Sequence, residues 1–424
     1  MLGAPEESLP GQFPEWACLK AAYRLFDTPQ VTLESICTPH WMQTRNTKPG
    51  RYLLISDTTE LDFTRLGSAE GLGMLGNGKG RGFQLHPCLM FSLQEKQVVG
   101  LAGCVTYYRS FQPENETRGQ RLARSRESDV WGSIVDQVGK APDGSQWIHV
   151  FDRGGDVFEA MCRIQLTGND WVIRASKLSR KILNSRGEEI NLAKAVQQAT
   201  ELGSFTMDLR STPRHAARTA KLMVYTCEVT FPVPEYRSKW MRACSIKALT
   251  MNLVIAREVQ VPNGNNPIFW VILTSLPVAS FDNAWTVLEY YEHRWMIEEY
   301  NRVAKSGCSI EGSALRTSDR LEAIVGVTSI IAVRLLQMKL IGRNQPEVRA
   351  AKNVPSNWLQ SLKLLRPHVR LTDMTVYEFF RQLAMLGGFL GRKHDGEPGW
   401  QTIWRGYRRL HDVMIGIRLA QRNP

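Results

Sequence analysis

Two short apolar runs each close on an aspartate, and this repeated pattern constrains the fold more than any other feature of the chain. Residues 51–56 (RYLLIS) follow a Pro-Gly turn and run into Asp57, and residues 147–151 (WIHVF) run into Asp152. Apolar, β-branched and aromatic runs of this length, bounded by turn signals, predict buried strands. In α/β sheets, reactive groups commonly stand at the carboxyl ends of strands, where the backbone positions them rigidly. An aspartate at a strand end can equally be a turn or cap residue. Chemistry therefore needs a third partner from elsewhere in the chain.

The surrounding pattern alternates. After a Pro-rich start, residues 16–26 and 33–44 predict short helices. A Gly-rich basic loop spans 67–82, and residues 84–93 and 98–108 predict a hairpin. Residues 109–128 are polar and basic and read as a surface loop. Residues 155–166 predict a helix and 171–175 (WVIRA) another strand. From 177 to 278 the pattern changes to β-branched runs at 223–231, 249–259 and 268–273, separated by turns. Residues 281–305 have helical periodicity, and the chain after about 322 reads as helical. The fold class expected is mixed α/β: a core interrupted by a large β-rich insertion, with helical regions at both ends.

The third partner comes from residues 291–305, YEHRWMIEEYNRVAK. In a straight helix at about 100° per residue, Tyr291, Arg294, Glu298 and Lys305 fall within an arc of roughly 60°, and Arg302 joins it. A phenol and three cations would then flank one carboxylate. Two readings fit that face. It could grip phosphate oxygens beside a metal, or it could be solvated surface laced by the pairs Arg294–Glu298 and Glu298–Arg302. Asp57, Asp152 and Glu298 could converge on one or two hard cations, because Mg²⁺ takes oxygen ligands and keeps waters for substrate. Such a site suits phosphoryl transfer.

Composition narrows the partner. The 424 residues carry a formal net charge of +12, which favours a polyanion through counterion release. Eight cysteines lie scattered with no C-x-x-C pair, so reduced thiols are expected rather than disulfides or a zinc site. Residues 1–14 lack the basic and apolar regions of a signal peptide. No apolar run long enough to span a membrane was expected. GNGKGRG is Gly-rich but lacks the phosphate-loop pattern, so no nucleoside triphosphate is expected there, and Lys79 and Arg81 read as loop residues. His149, alternating with apolar residues, and His293 read as packing or hydrogen-bonding residues. Arg408, Arg409, Arg418 and Arg422 read as solvated helix charges or weak contacts.

YEHRWMIEEYNRVAK resembles the Y-x2-R-x3-E-x6-K signature of bacterial DDE transposases of the insertion-sequence-four family, transposon-five type. LLISDTTELDF resembles that family's first-aspartate segment. HVFDRGGD resembles the second, usually D-R-E-A-D, with Gly154 and Gly155 in place of Glu and Ala. Weaker likenesses follow in order: AAYRLF, WVIRASK, WVILTSLPV, and LGGFLGRK with GWQTIWRGY.

The resemblance implies an RNase H-like core and five segments. These are a shortened N-terminal helical DNA-binding region (1–48), the first part of the catalytic core (49–176), the β-rich insertion (177–278), the glutamate helix and its successor (279–340), and a helical dimerisation region (341–424). It implies cut-and-paste transposition with Mg²⁺, or Mn²⁺ in its place, by a homodimer. The DNA partners would be inverted-repeat ends and target DNA, on the bacterial nucleoid in the cytoplasm. Asp57, Asp152 and Glu298 would be the catalytic metal ligands. Tyr291, Arg294 and Lys305 would hold phosphates near the cleaved end, with Arg302, placed by spacing on the same face, as a further DNA-binding residue, and Arg174 and Lys177 would contact the transposon-end backbone. Trp270 would stack a flipped base, against the alternative of a strand core aromatic. The short stretch before AAYRLF raises one rival expectation, an inactive or inhibitory element remnant, and another RNase H-like nuclease, such as a junction resolvase, is a separate one.

Overall fold

A computed structural model describes residues 7–422, apart from 68, 77, 110–114, 118, 121–125, 210–216, 236, 263–265, 345 and 393. The predicted 109–128 loop thus lies largely outside the described residues, as do the side chains of Arg418 and Arg422.

Among the described residues, thirteen strands form one sheet. They are β1 (Arg51–Ser56), β2 (Thr59–Asp62), β3 (Gly73–Met74), β4 (Arg81–Ser92), β5 (Gln97–Tyr107), β6 (Gln146–Phe151), β7 (Asp170–Arg174), β8 (Lys181–Asn184), β9 (Glu189–Asn191), β10 (Thr200–Leu209), β11 (Arg218–Pro232), β12 (Ala248–Val259) and β13 (Phe269–Thr274). β1 is central. On one side it pairs antiparallel with β4, the first strand of the β4–β5 hairpin. On the other it runs parallel to β6, and β6 runs parallel to β7. The parallel pairs are joined through helices, Val130–Val138 before β6 and Phe158–Thr167 before β7, as parallel strands require.

The apolar runs at β1 and β6 are continuous because both faces are covered. Leu53, Ile55, Ile148 and Val150 enter one core layer, under the helices Leu33–Arg45, Phe281–Glu292 and Ser318–Asn344. Tyr52, Leu54, Trp147 and Phe151 alternate into the opposite layer, against Val130–Val138 and Phe158–Thr167. His149 shares the second side and is fully buried.

The β-rich segment after β7 extends the same sheet: β11, β12 and β13 pair antiparallel in turn, and β13 returns to pair with β7. Arg81 opens β4 rather than lying in a loop. Its amide donates to Thr64 Oγ1 at 2.8 Å, and its carbonyl accepts from the Phe63 amide at 2.9 Å.

The predicted single helix over 281–305 is three pieces. Phe281–Glu292 ends at His293, Trp295–Arg302 follows, and Val303–Gly307 winds as a π turn. The break has a local cause. His293 Nδ1 lies 2.7 Å from the Glu289 carbonyl, the group that its own backbone amide would bond in a continuous helix. The following amides take tighter i−3 partners: Arg294 to Tyr291, and Met296 to His293. The π turn then shifts Lys305 off the 3.6-residue phase on which the single-arc reading rested.

The Ser318–Asn344 helix corrects a second expectation. By length and composition, residues 318–341 are apolar enough to cross a membrane. Sixty-one per cent of its apolar window is buried within the protein, and it packs on Leu33–Arg45 and β5. It is a core helix covered on several sides, which is why it is apolar all round. Beyond it, Ser356–Leu365, Val376–Leu386 and Trp400–Arg422 pack together at the C-terminal end.

Candidate functional site

Parallel register places the two aspartates side by side. Ser56 of β1 pairs with Phe151 of β6, so Asp57 and Asp152 leave adjacent strand ends at the same level. Each is held by a local amide. Asp57 Oδ1 accepts from the Thr58 amide at 2.8 Å, and Asp152 Oδ1 accepts from the Gly154 amide at 2.7 Å, capping the turn Arg153–Gly155. Gly155 is required by that turn, since a Cβ there would meet Phe151 Cβ at 2.4 Å. The two glycines therefore form a tight turn, and the helix begins only at Phe158.

Glu298 approaches from the Trp295–Arg302 helix. Arg294, at the break before it, bridges the two elements. Its Nη2 is 2.5 Å from Glu298 Oε1, and its Nη1 is 3.5 Å from Asp57 Oδ2. Electrostatics register the convergence. Burial, then the charge of Asp152, push the Asp57 carboxyl up to about 6. Glu298 adds to the rise, and the Thr58 amide and Arg294 oppose it. Burial and two neighbouring carboxylates thus outweigh the Thr58 amide and Arg294 at Asp57. Among the described residues, no three His, Cys, Asp or Glu side chains stand close enough together to hold a metal ion as placed. Arg294 supplies the counter-charge in this arrangement.

The loop after β1 is anchored from below. Thr58 Oγ1 lies 2.8 Å from His86 Nδ1. The His86 ring meets Trp131 edge-on at 4.5 Å, and Trp131 packs on Phe151 at 4.8 Å. Sequence reasoning passed over His86. Its one signal is a lone imidazole within the apolar run of β4. Asp156, also unassigned from sequence, ties the second loop down. It accepts from Ser176 and pairs with Arg180 at 2.5 Å while its own side chain is fully buried.

The remaining sequence-derived residues divide. Tyr291 is buried and meets the half-buried Trp270 edge-on, centroids 6.2 Å apart. Lys305 Nζ donates to the Glu60 carbonyl at 2.5 Å and pairs with Glu311 at 3.2 Å, so it grips β2, just beyond Asp57. Arg302 turns from Glu298 to Glu299, at 2.6 Å, so the expected Glu298–Arg302 pair does not form. Arg174 donates to the Phe269 carbonyl at 3.2 Å, and Lys177 is exposed. Both lie at the end of β7, two strands from β1. His293 bonds the Glu289 carbonyl and packs on Phe91, centroids 4.7 Å apart. Arg409 donates to the Leu386 carbonyl at 2.6 Å.

The family match falls at the C-terminal end. Residues 330–423 match the transposase Tn5 dimerisation domain. The match begins within the Ser318–Asn344 helix and covers the three C-terminal helices. It supports a transposase of the Tn5 type, hence a DNA-processing enzyme, and it supports a homodimer.

Proposed function

We propose that this chain is a cut-and-paste DNA transposase of the DDE class, in the insertion-sequence-four family, with Asp57, Asp152 and Glu298 as its catalytic carboxylates. The observation that carries the reading is geometric: Asp57 and Asp152 leave adjacent parallel strand ends at one level, and Arg294 bridges Asp57 to Glu298. The sheet order β5-β4-β1-β6-β7, antiparallel hairpin first and parallel strands after, supports an RNase H-like core.

Three carboxylates with a single bridging guanidinium make an all-oxygen donor set that fits a hard divalent cation, Mg²⁺ or Mn²⁺. Bound there, it would supply Lewis-acid stabilisation and a more acidic water. The chain's own residues position the DNA. Arg294 exchanges carboxylate partners for a phosphate oxygen beside the cut, and Tyr291 and Lys305 flank the same strand. Trp270, packed against Tyr291, offers a ring face for an extruded base. Arg174, Lys177 and Arg302 track the backbone farther out. Two steps are hydrolyses, which turn a phosphodiester into a phosphate monoester and a free hydroxyl, and two are transesterifications, which exchange one phosphodiester for another. Water first displaces a 3′-oxygen at the transposon end. That freed hydroxyl attacks the opposite strand to close a hairpin, water reopens it, and the 3′-hydroxyl finally joins target DNA. The protein acts as a homodimer on inverted-repeat ends, on nucleoid DNA in the cytoplasm.

The test is Glu298→Gln with a duplex carrying the inverted repeat that flanks the gene. Mg²⁺-dependent cleavage is lost while the gel shift persists. Cleavage retained by the variant would overturn the assignment.

A further inference from the structure

The helix that carries Glu298 is short, and neither end is continuous with a regular helix. It spans Trp295–Arg302, with the His293 break before it and the π turn Val303–Gly307 after it. Something other than helix continuity must fix its rotation about its axis. The neighbouring residue does so. Glu299 is 8% exposed, and one of its oxygens accepts from Lys339 Nζ, itself 7% exposed. Its other oxygen takes Arg302 at 2.6 Å. One residue is about 100° of helix rotation, so clamping Glu299 sets the bearing of Glu298 toward Asp57.

Lys339 does not belong to the catalytic sheet. It lies on the Ser318–Asn344 helix, inside the part that matches the dimerisation domain. It lines a small cavity with Tyr377, Phe380, Arg381, Glu397 and Ile403, all from the C-terminal region. Arg381, Tyr377 and Glu397 are themselves joined: Arg381 Nη1 donates to Tyr377 Oη at 3.1 Å, and Tyr377 Oη donates to Glu397 at 2.8 Å. Removing one partner of a buried ion pair is strongly destabilising, so the pair holds its two elements together. Any shift of the C-terminal helices that moves Lys339 therefore acts on the Glu298 helix.

We infer that Glu299 and Lys339 are positioning residues, a buried clamp through which the C-terminal dimerisation region sets the orientation of Glu298. The consequence for cleavage rests on the transposase reading above; the clamp itself does not.

The experiment compares the full-length protein with Lys339→Met and with the double variant Lys339→Met/Glu299→Gln. It reads hydrogen exchange over 295–302, thermal melting, end affinity and single-turnover cleavage of the flanking-repeat duplex. Lys339→Met leaves the buried Glu299 with only the exposed Arg302 as its partner and lowers the melting temperature. The double variant removes both charges and restores melting. If the pair served stability alone, the double variant would also restore exchange and cleavage, and that result overturns the inference. A clamp predicts that the double variant still exchanges at least about tenfold faster over 295–302, and cleaves more slowly at unchanged end affinity. Because the double variant carries no stranded charge, it decides the matter even where Lys339→Met fails to fold. Absence of cleavage by the unaltered protein would sink the transposase reading alone, and the exchange comparison would still decide the clamp.

Discussion

Arg294 Nη1 stands 3.5 Å from Asp57 Oδ2, across the gap between a strand end and a helix start, and the same guanidinium holds Glu298 at 2.5 Å. One cation thus bridges two carboxylates that come from residues far apart in sequence. The Arg294 and Asp57 side chains are 21% and 22% exposed, so that pair is shielded from much of the solvent screening that weakens surface ion pairs, whereas Glu298 is half-exposed. Arg294→Gln keeps a hydrogen-bonding side chain and removes the charge. The variant should remain folded and lose about 10²-fold or more in single-turnover DNA cleavage, the usual scale for deleting one fixed electrostatic donor. Wild-type cleavage by Arg294→Gln would show that the guanidinium serves the fold only.

Asp57 makes a stability prediction with a definite sign. Its folded value, about 6, lies above the ordinary 3.8. The group therefore contributes stability that is complete below about 4 and lost as pH rises through about 6. Asp57→Asn is neutral throughout. At a pH of about 7.5 it should be more stable than the parent, by at most about 3 kcal/mol for a shift of roughly two units, and the gain should vanish below about pH 4. Denaturant midpoints at both pH values measure this. A destabilised Asp57→Asn at neutral pH would show that Arg294 already compensates the charge.

Two buried histidines act in the opposite direction. Burial lowers both His86 and His149 from 6.5 to about 3. Each contributes stability present above 6.5 and lost as pH falls toward 3, because the unfolded chain takes up protons that the folded chain refuses. The slope is about 1.4 kcal/mol per pH unit for each. Between 3.8 and 6, Asp57 offsets one of the two. His149→Phe should roughly halve the histidine contribution, seen as a shallower fall in denaturant midpoint between about pH 6.5 and about pH 5. An unchanged slope would mean that His149 gains a proton without unfolding.

Much of this architecture was legible in the sequence, and the reasons for the rest are local. β1, β6 and β7 were visible because strands covered on both faces read as uninterrupted apolar runs. The hairpin was visible because its turn is polar. The His293 break was not visible, since no glycine or proline marks it; a side chain displaces a backbone amide there. The π turn at Val303–Gly307 likewise leaves no period in the residues, so Lys305 was assigned to the Glu298 face when it grips Glu60 and Glu311. Arg302 was assigned to Glu298 by spacing alone. Spacing could not reveal that Glu299 is the buried acid, because that depends on Lys339, forty positions later in the chain and brought in by packing.

The C-terminal helices supply the last prediction, one in which steric contact and helix propensity disagree. Gly406 lies inside Trp400–Arg422, where alanine would ordinarily be favoured by about 1 kcal/mol. A Cβ at Gly406 would fall 1.6 Å from the Leu383 carbonyl oxygen, and one at Gly387 would fall 1.9 Å from the Thr402 carbonyl oxygen. The atoms approached are backbone, so no rotamer change relieves the contact and the helices must move apart. Overpacking costs about 1–3 kcal/mol or more, enough to outweigh the propensity gain. Gly406→Ala should therefore lower the melting temperature and weaken self-association, measured by light scattering over a concentration series. Gly416 lies in the same helix with nothing near its Cβ position, so Gly416→Ala should be neutral to mildly stabilising and serves as the internal control. Equal behaviour of the two variants would mean that the close crossing of Val376–Leu386 with Trp400–Arg422 does not hold this region together.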